Sequence, residues 1–236
     1  MSQQKRVRTI DLENPFVESF DGMCELLLIR HGEQEFYSNI PLGEALDAPL
    51  SELGRRQAVA IGERLAPARL GAVYCSPLKR AYDTAWEIAK HHNLPPIVMD
   101  ELREIDLWKH APQDKGLLDL YTREELAEIY RRVSRTRKHS AYPHCEDVNE
   151  FKARIVAAID RIVEDNIGQR VAVACHGGVI NAYLSHLFAS DYDALVPVHH
   201  TSITVIRAAD TRRVALTIND YSHVMSFQSS RSDLNA

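Results

Sequence analysis

Six short runs of β-type residues, the first four separated by helical patterns, constrain this 236-residue chain more than any other feature it has. Cys24 to Ile29 is a compact apolar run that stops at Arg30-His31-Gly32, and so predicts a buried strand ending in a turn. A long loop with Asn39, Pro41, Gly43 and Pro49 follows, with Asp47 placed to fix the part just before the next helix. Ser51 stands where a hydroxyl can accept a free amide of a first helical turn, and Leu53, Ala58, Ile61 and Leu65 recur at helical spacing behind it. Gly71 to Cys75 reads as a second strand, and Ser76-Pro77 opens a helix from Leu78 to His91. Ile97-Val98-Met99 is a third strand. Thr122-Arg123-Glu124-Glu125 has capping-box spacing, with Leu126, Ile129, Tyr130 and Val133 on one side of the helix it opens. Asp147 caps a further helix striped by Phe151, Ile155, Ala158, Ile159 and Ile162. Val171 to Cys175 is a strand buried on both faces, and His176-Gly177-Gly178 leads into a helix from Val179 to Phe188. Ser202 to Arg207 and Val214 to Asn219, joined by Ala208-Ala209-Asp210-Thr211, read as a closing hairpin.

Strands alternating with helices predict an α/β, doubly wound fold: a mostly parallel sheet with an antiparallel edge strand and helices on both faces. The expected organisation is an N-terminal extension over 1–23, one domain over 24–224 with a polar insertion at about 106–145, and a polar tail over 225–236. The 28 Lys and Arg against 33 Asp and Glu argue against a nucleic-acid binder, which needs a surplus of cations on one face. Basic residues near the N-terminus have no apolar stretch behind them, and no run is long enough to span a bilayer, so no membrane partner is expected and the cytoplasm is the expected compartment. Cys24, Cys75 and Cys175 border or end apolar runs and read as inert buried thiols, with Cys145 alone in a polar context. The adjacent pairs His91-His92 and His199-His200 lack a third ligand at suitable spacing, so no metal site is expected, although His200 is placed to line a pocket rim.

In folds of this kind ligands sit beyond the carboxyl ends of the strands. Three strands here end in polar groups: Arg30-His31, Ser76 with Arg80 close behind, and His176. A neutral imidazole is a nucleophile, and guanidinium groups grip phosphoryl oxygens in a planar fork. Gly32 and Gly177-Gly178 would let backbone come close to a ligand and let a helix N-terminus offer amides to an anion. The set describes phosphoryl capture.

These residues resemble a known family. LLLIRHGEQ is similar to the R-H-G signature of the histidine phosphatase superfamily, the phosphoglycerate mutase-like branch 1. DAPLSELGRRQA resembles its D-x-P-L-T/S-x-x-G-x-x-Q-A segment, and YCSPLKRAYDTA its S-P-x-x-R-A-x-x-T-A segment. LREI, CEDVNEFKAR, VAVACHGGVI and INDYSHV resemble later blocks in the expected order. The resemblance runs from about Cys24 to Val224. It implies a phosphatase that hydrolyses a phosphomonoester, a small phosphorylated metabolite, through a covalent phosphohistidine and without a metal or other cofactor, since the cations are side chains. His31 would be the nucleophile, Glu104 the general acid and base, and His176 a third catalytic group. Arg30, Arg80 and Gly177 would bind the phosphoryl group, and 106–145 would be a helical lid over the cleft.

The chain departs from the family around this set. Gln34 stands where Thr or Ser is usual, and Phe36-Tyr37 where Trp-Asn is common, so either Asn39, by a loop shift, or Tyr37 is expected to replace the phosphoryl-binding Asn. Ile105 to Lys109 replaces an aromatic-glycine segment, and Cys145-Glu146-Asp147 a Gly-Glu-Ser. Arg131, Arg132, Arg135, Arg137, Lys138 and His139 crowd the lid. They are either a solvated helix face or, through Arg135 and Arg137, a contact to a second anionic group on the substrate. A phosphoglycerate mutase and a non-catalytic phospholigand-binding module are the competing readings, and a homodimer is compatible with the sequence.

Overall fold

The computed structural model describes residues 22–36, 39–209 and 212–227. Most of the N-terminal extension, Tyr37, the hairpin tip Asp210-Thr211 and the tail from 228 onward therefore lie outside the described residues. The described elements run, in order, β1 (Cys24–Arg30), α1 (Leu42–Ala45), α2 (Glu52–Leu65), β2 (Ala72–Cys75), α3 (Lys79–Ala89), β3 (Pro96–Val98), α4 (Leu117–Leu120), α5 (Arg123–Thr136), α6 (Val148–Asp165), β4 (Arg170–Cys175), α7 (Gly177–Leu187), β5 (Ile203–Ala209) and β6 (Arg212–Asp220). One 3₁₀ turn, Asp100–Leu102, follows β3, and others lie at His139–Ala141 and Ser222–Val224.

The strands form one sheet in the order β3-β2-β4-β1-β5-β6. β1, β4, β2 and β3 are parallel, while β5 runs antiparallel to β1 and β6 antiparallel to β5. This is the doubly wound, mostly parallel sheet with an antiparallel edge that the alternation predicted. Successive side chains on a strand point to opposite faces. Leu26 and Leu28 accordingly join α6 and α7 residues such as Ile155, Ile159, Ile180 and Tyr183 in one core, and Leu27 and Ile29 join Ile61, Ala85 and Ile88 of α2 and α3 in the other.

The caps hold as expected: Ser51 Oγ accepts from Gly54 N, Thr122 Oγ1 from Glu125 N, and Asp147 from Asn149 N and Glu150 N. Several features differ from expectation, among them the closing hairpin, where Ala208 and Ala209 extend β5 and β6 already begins at Arg212. The loop after β1 contains the single turn α1, which starts behind Pro41 and is too short to show a period. β3 begins at Pro96, which an edge strand tolerates because no further strand needs its amide. On α5 only Leu126 and Ile129 are buried, and Tyr130 is exposed. α7 starts at Gly177, not Val179, directly after His176. Among the described residues no helix is long and apolar enough to cross a membrane.

Candidate active site

The register of two neighbouring strands brings the histidines together. β1 and β4 pair in parallel with Arg30 opposite Cys175, so the next residues, His31 and His176, leave the sheet side by side. Their ring centroids are 5.0 Å apart and the rings meet edge to face. The His31 amide donates to Cys175 O at 2.9 Å, which continues the ladder one residue past the strand. β2 lies on the far side of β4 and is followed directly by Ser76, whose hydroxyl is 2.8 Å from His176 Nε2. Leu78 N donates to that hydroxyl oxygen at 3.3 Å, which leaves the hydroxyl one lone pair and its own proton, so it can serve His176 Nε2 as acceptor or as donor according to the ring tautomer. Nδ1 is buried and has no hydrogen-bond partner among the described residues. A buried ring nitrogen without a partner is rare enough to need an explanation.

His31 is held the other way round. Its Nδ1 donates to the carbonyl of Gly32 at 2.6 Å, leaving the lone pair on Nε2, where Arg80 Nε donates at 3.2 Å. Burial, above all, pushes its pKa well below the ordinary histidine range, and His176, Arg80 and Arg30 push it the same way. The bond to Gly32 opposes them but does not reverse the sign. His176 is lowered by the same causes, burial first and then Arg80 and Arg30. Both rings are therefore neutral at neutral pH.

Two arginines supply the positive charge. Arg80, from the first turn of α3, is 4% exposed and anchored by a bond from its NH1 to Leu46 O at 2.8 Å. Arg30, the last residue of β1, reaches Val198 O with NH1 at 2.5 Å. A Cβ placed on Gly177 would lie 3.8 Å from Arg30 Nε, so Arg30 passes the N-terminus of α7 in ordinary van der Waals contact.

Glu104 stands just beyond the 3₁₀ turn that follows β3. Oε2 accepts from Gly178 N at 3.0 Å and Oε1 from Ile105 N at 3.0 Å. Each oxygen keeps a second lone pair for a substrate oxygen or a water. A Cβ on Gly178 would fall 2.3 Å from Glu104 Oε1, so the carboxylate reaches the helix only because residue 178 has no side chain.

Several supporting contacts join residues distant in the chain. Gly32 N donates to Thr84 Oγ1, and that hydroxyl donates to Arg80 O. Glu33 N donates to Gln57 Oε1 at 2.8 Å. A Cβ on Gly32 would meet Gly54 O at 2.4 Å, and one on Gly54 would meet Glu33 O at 1.8 Å. Gly32 is thus required by the close approach of α2, not by a ligand as its position suggested. Asp47 ties the loop to α3 by accepting from Lys79 N at 2.8 Å.

Of the outlying candidates, His200 joins the site, with its ring centroid 5.7 Å from that of His31. Asn39 does not join it. Its amide donates to Asp119 Oδ1 and its oxygen accepts from Leu118 N, which fastens the loop to α4. Arg137 is also a structural clip: Nε donates to Ala194 O at 2.9 Å, NH2 to Leu195 O, and the guanidinium lies over Tyr192. It occupies a left-handed backbone conformation at the end of α5. Arg135 is exposed on α5. Among the described residues no three metal-ligating side chains converge.

The family model of the histidine phosphatase superfamily (branch 1) matches residues 26–221. A metal-independent phosphoserine phosphatase of Arabidopsis thaliana is 32% identical over 226 residues, 92% of either chain. Phosphoserine phosphatase 1 of Hydrogenobacter thermophilus is 30% identical, over 87% of this chain and 96% of its own. Among solved structures, a mycobacterial glucosyl-3-phosphoglycerate phosphatase aligns with a TM-score of 0.69 at 25% identity, covering 84% of this chain and 99% of that one.

Proposed function

From the premise that this chain belongs to the histidine phosphatase superfamily, branch 1, and is a phosphatase of phosphate monoesters, we propose that His31 is its nucleophile and that a small phosphorylated metabolite is its substrate. One observation carries the assignment. The Nδ1 of His31 is committed to Gly32 O, so the lone pair of a buried, neutral imidazole sits on Nε2 beside the Arg80 guanidinium.

In the proposed reaction the Nε2 lone pair forms a bond to phosphorus as the P–O ester bond breaks. Glu104, in its acid form, gives its proton to the leaving oxygen. Charge on the phosphoryl oxygens is met by Arg30, Arg80 and, in the tautomer that carries its proton on Nδ1, His176, whose missing partner would be one of those oxygens. The Gly32 carbonyl steadies the positive charge that the imidazole gains on phosphorylation. A water then attacks phosphorus, Glu104 takes its proton, the P–N bond breaks and the electron pair returns to Nε2. The second step regenerates the acid form of Glu104. Positive charge is supplied throughout by side chains. Segment 106–145 is the proposed lid, since it begins immediately after Glu104.

Phosphoserine is the first substrate to test, because two relatives are named for it. Phosphate release should be measured with phosphoserine, a sugar phosphate and 3-phosphoglycerate. A His31→Ala variant is expected to fall by at least about a thousandfold and to form no acid-labile phosphoenzyme. Full activity in that variant would remove the nucleophile assignment. Interconversion of 2- and 3-phosphoglycerate without phosphate release would move the chain to the mutases.

A further inference from the structure

A chain of hydrogen bonds reaches the site from the end of the domain. Thr201, fully buried, donates its amide to Arg30 O at 3.0 Å and more weakly to His31 O at 3.4 Å. Its φ of +56° is a left-handed conformation that a β-branched residue rarely adopts, so the turn at 199–201 must be held from outside. Thr201 Oγ1 donates to His200 O at 2.8 Å, which fixes the peptide that carries the His200 ring.

The holding groups come from β6, from the 3₁₀ turn behind it and from α2. Arg64 NH1 donates to His223 Nδ1 at 2.9 Å and to Ser222 Oγ at 2.9 Å, while its NH2 pairs with Asp220. With Nδ1 accepting, the proton of His223 is on Nε2, and Nε2 donates to Thr201 Oγ1 at 3.2 Å. Every donor in this row has an acceptor only if His223 is neutral. Burial first and Arg64 second keep it so, lowering its pKa to about 4 against the opposing charge of Asp220. A parallel grip lies two residues upstream of Thr201 in the turn: His199 N donates to Asn219 Oδ1, and the His199 ring stacks on Tyr221 at 3.9 Å.

We propose that His223 is a positioning residue for phosphoryl transfer: through Thr201 it holds the 199–201 turn, and with it His200 and the Arg30-His31 backbone, in place around the nucleophile. The inference rests on the assignment of His31 as nucleophile. His223 touches neither substrate nor reacting atoms.

The test uses the full chain and p-nitrophenyl phosphate, with kcat, KM and the thermal midpoint measured for each variant. His223→Ala is expected to lower kcat roughly tenfold, as loss of one buried hydrogen bond does, with KM within about twofold. His223→Gln can place an amide N–H where Nε2 stands, and is expected to recover kcat to within about threefold of wild type. Thr201→Val keeps the shape and loses the hydroxyl, so it carries the test if His223→Ala does not fold. A folded His223→Ala with wild-type kcat, or a folded His223→Gln as slow as the alanine variant, overturns the proposal. His31→Ala separates the two readings: if it stays active the nucleophile assignment fails and the relay fails with it, whereas an inactive His31→Ala beside an unaffected His223→Ala removes the relay alone.

Discussion

Two adjacent glycines differ sharply in what one added methyl group would do. At Gly177 a Cβ meets nothing closer than Arg30 at 3.8 Å, whereas at Gly178 it lands 2.3 Å from the carboxylate of Glu104. Gly178→Ala is therefore expected to displace the proposed acid by about an ångström and to lower kcat by about a hundredfold, with Gly177→Ala within about threefold of wild type. Steady-state kinetics on any accepted phosphomonoester reads the difference, and equal rates for the two variants would mean that Glu104 is not the acid. Arg30, His31, Arg80 and His176 were legible in the sequence because each follows closely on a strand with a clear apolar signature. Ser76 Oγ, Thr84, Thr201 and His223 were not legible in their roles. Each acts through a hydroxyl or imidazole bonded to a residue distant in the chain, and no local spacing encodes such a contact.

At the scale of elements, the helices were largely readable from their caps, since Ser51, Thr122 with Glu125, and Asp147 each satisfy amides within their own first turn. The partners of the proposed lid were not. Asn39 binds α4 and Arg137 binds the carbonyls of the 194–195 segment, pairings that exist only once the lid is folded onto the domain. Asn39→Ala should thus leave the inhibition constant for inorganic phosphate unchanged within about twofold, while Arg80→Ala should raise it at least tenfold by removing a buried cation from the anion site. Competitive inhibition assays decide this, and a comparable loss of affinity in both variants would return Asn39 to the phosphoryl group. The basic run on α5 illustrates the same point. Its composition allowed a solvated face or an anion contact, and in the fold Arg131 pairs with Glu128, while Arg132 and, just past the helix, Lys138 donate to backbone carbonyls.

Across the whole molecule, the buried histidines couple stability to acidity. His31 and His176 are held well below the ordinary value of 6.5 and His223 at about 4. In the unfolded chain each would take up a proton as pH falls through about 6.5, while the folded protein would not, so stability is full above that value and declines below it. The slope is at most about 1.4 kcal/mol per pH unit for each histidine until its folded pKa is reached. The thermal midpoint should consequently fall between pH 7 and pH 5, and fall less in His223→Gln; calorimetry with no change over that range would contradict the neutral assignment of these rings. The β1–β4 pairing has a consequence of a different kind. His31 and His176 are set side by side by one strand register, while segment 106–145 leaves after Glu104 and returns at Asp147 without touching that register. On the proposed lid assignment, insertions or deletions in that segment would reshape what reaches the cleft while the histidine pair stays in step, so one phosphomonoester could be exchanged for another without relearning the chemistry.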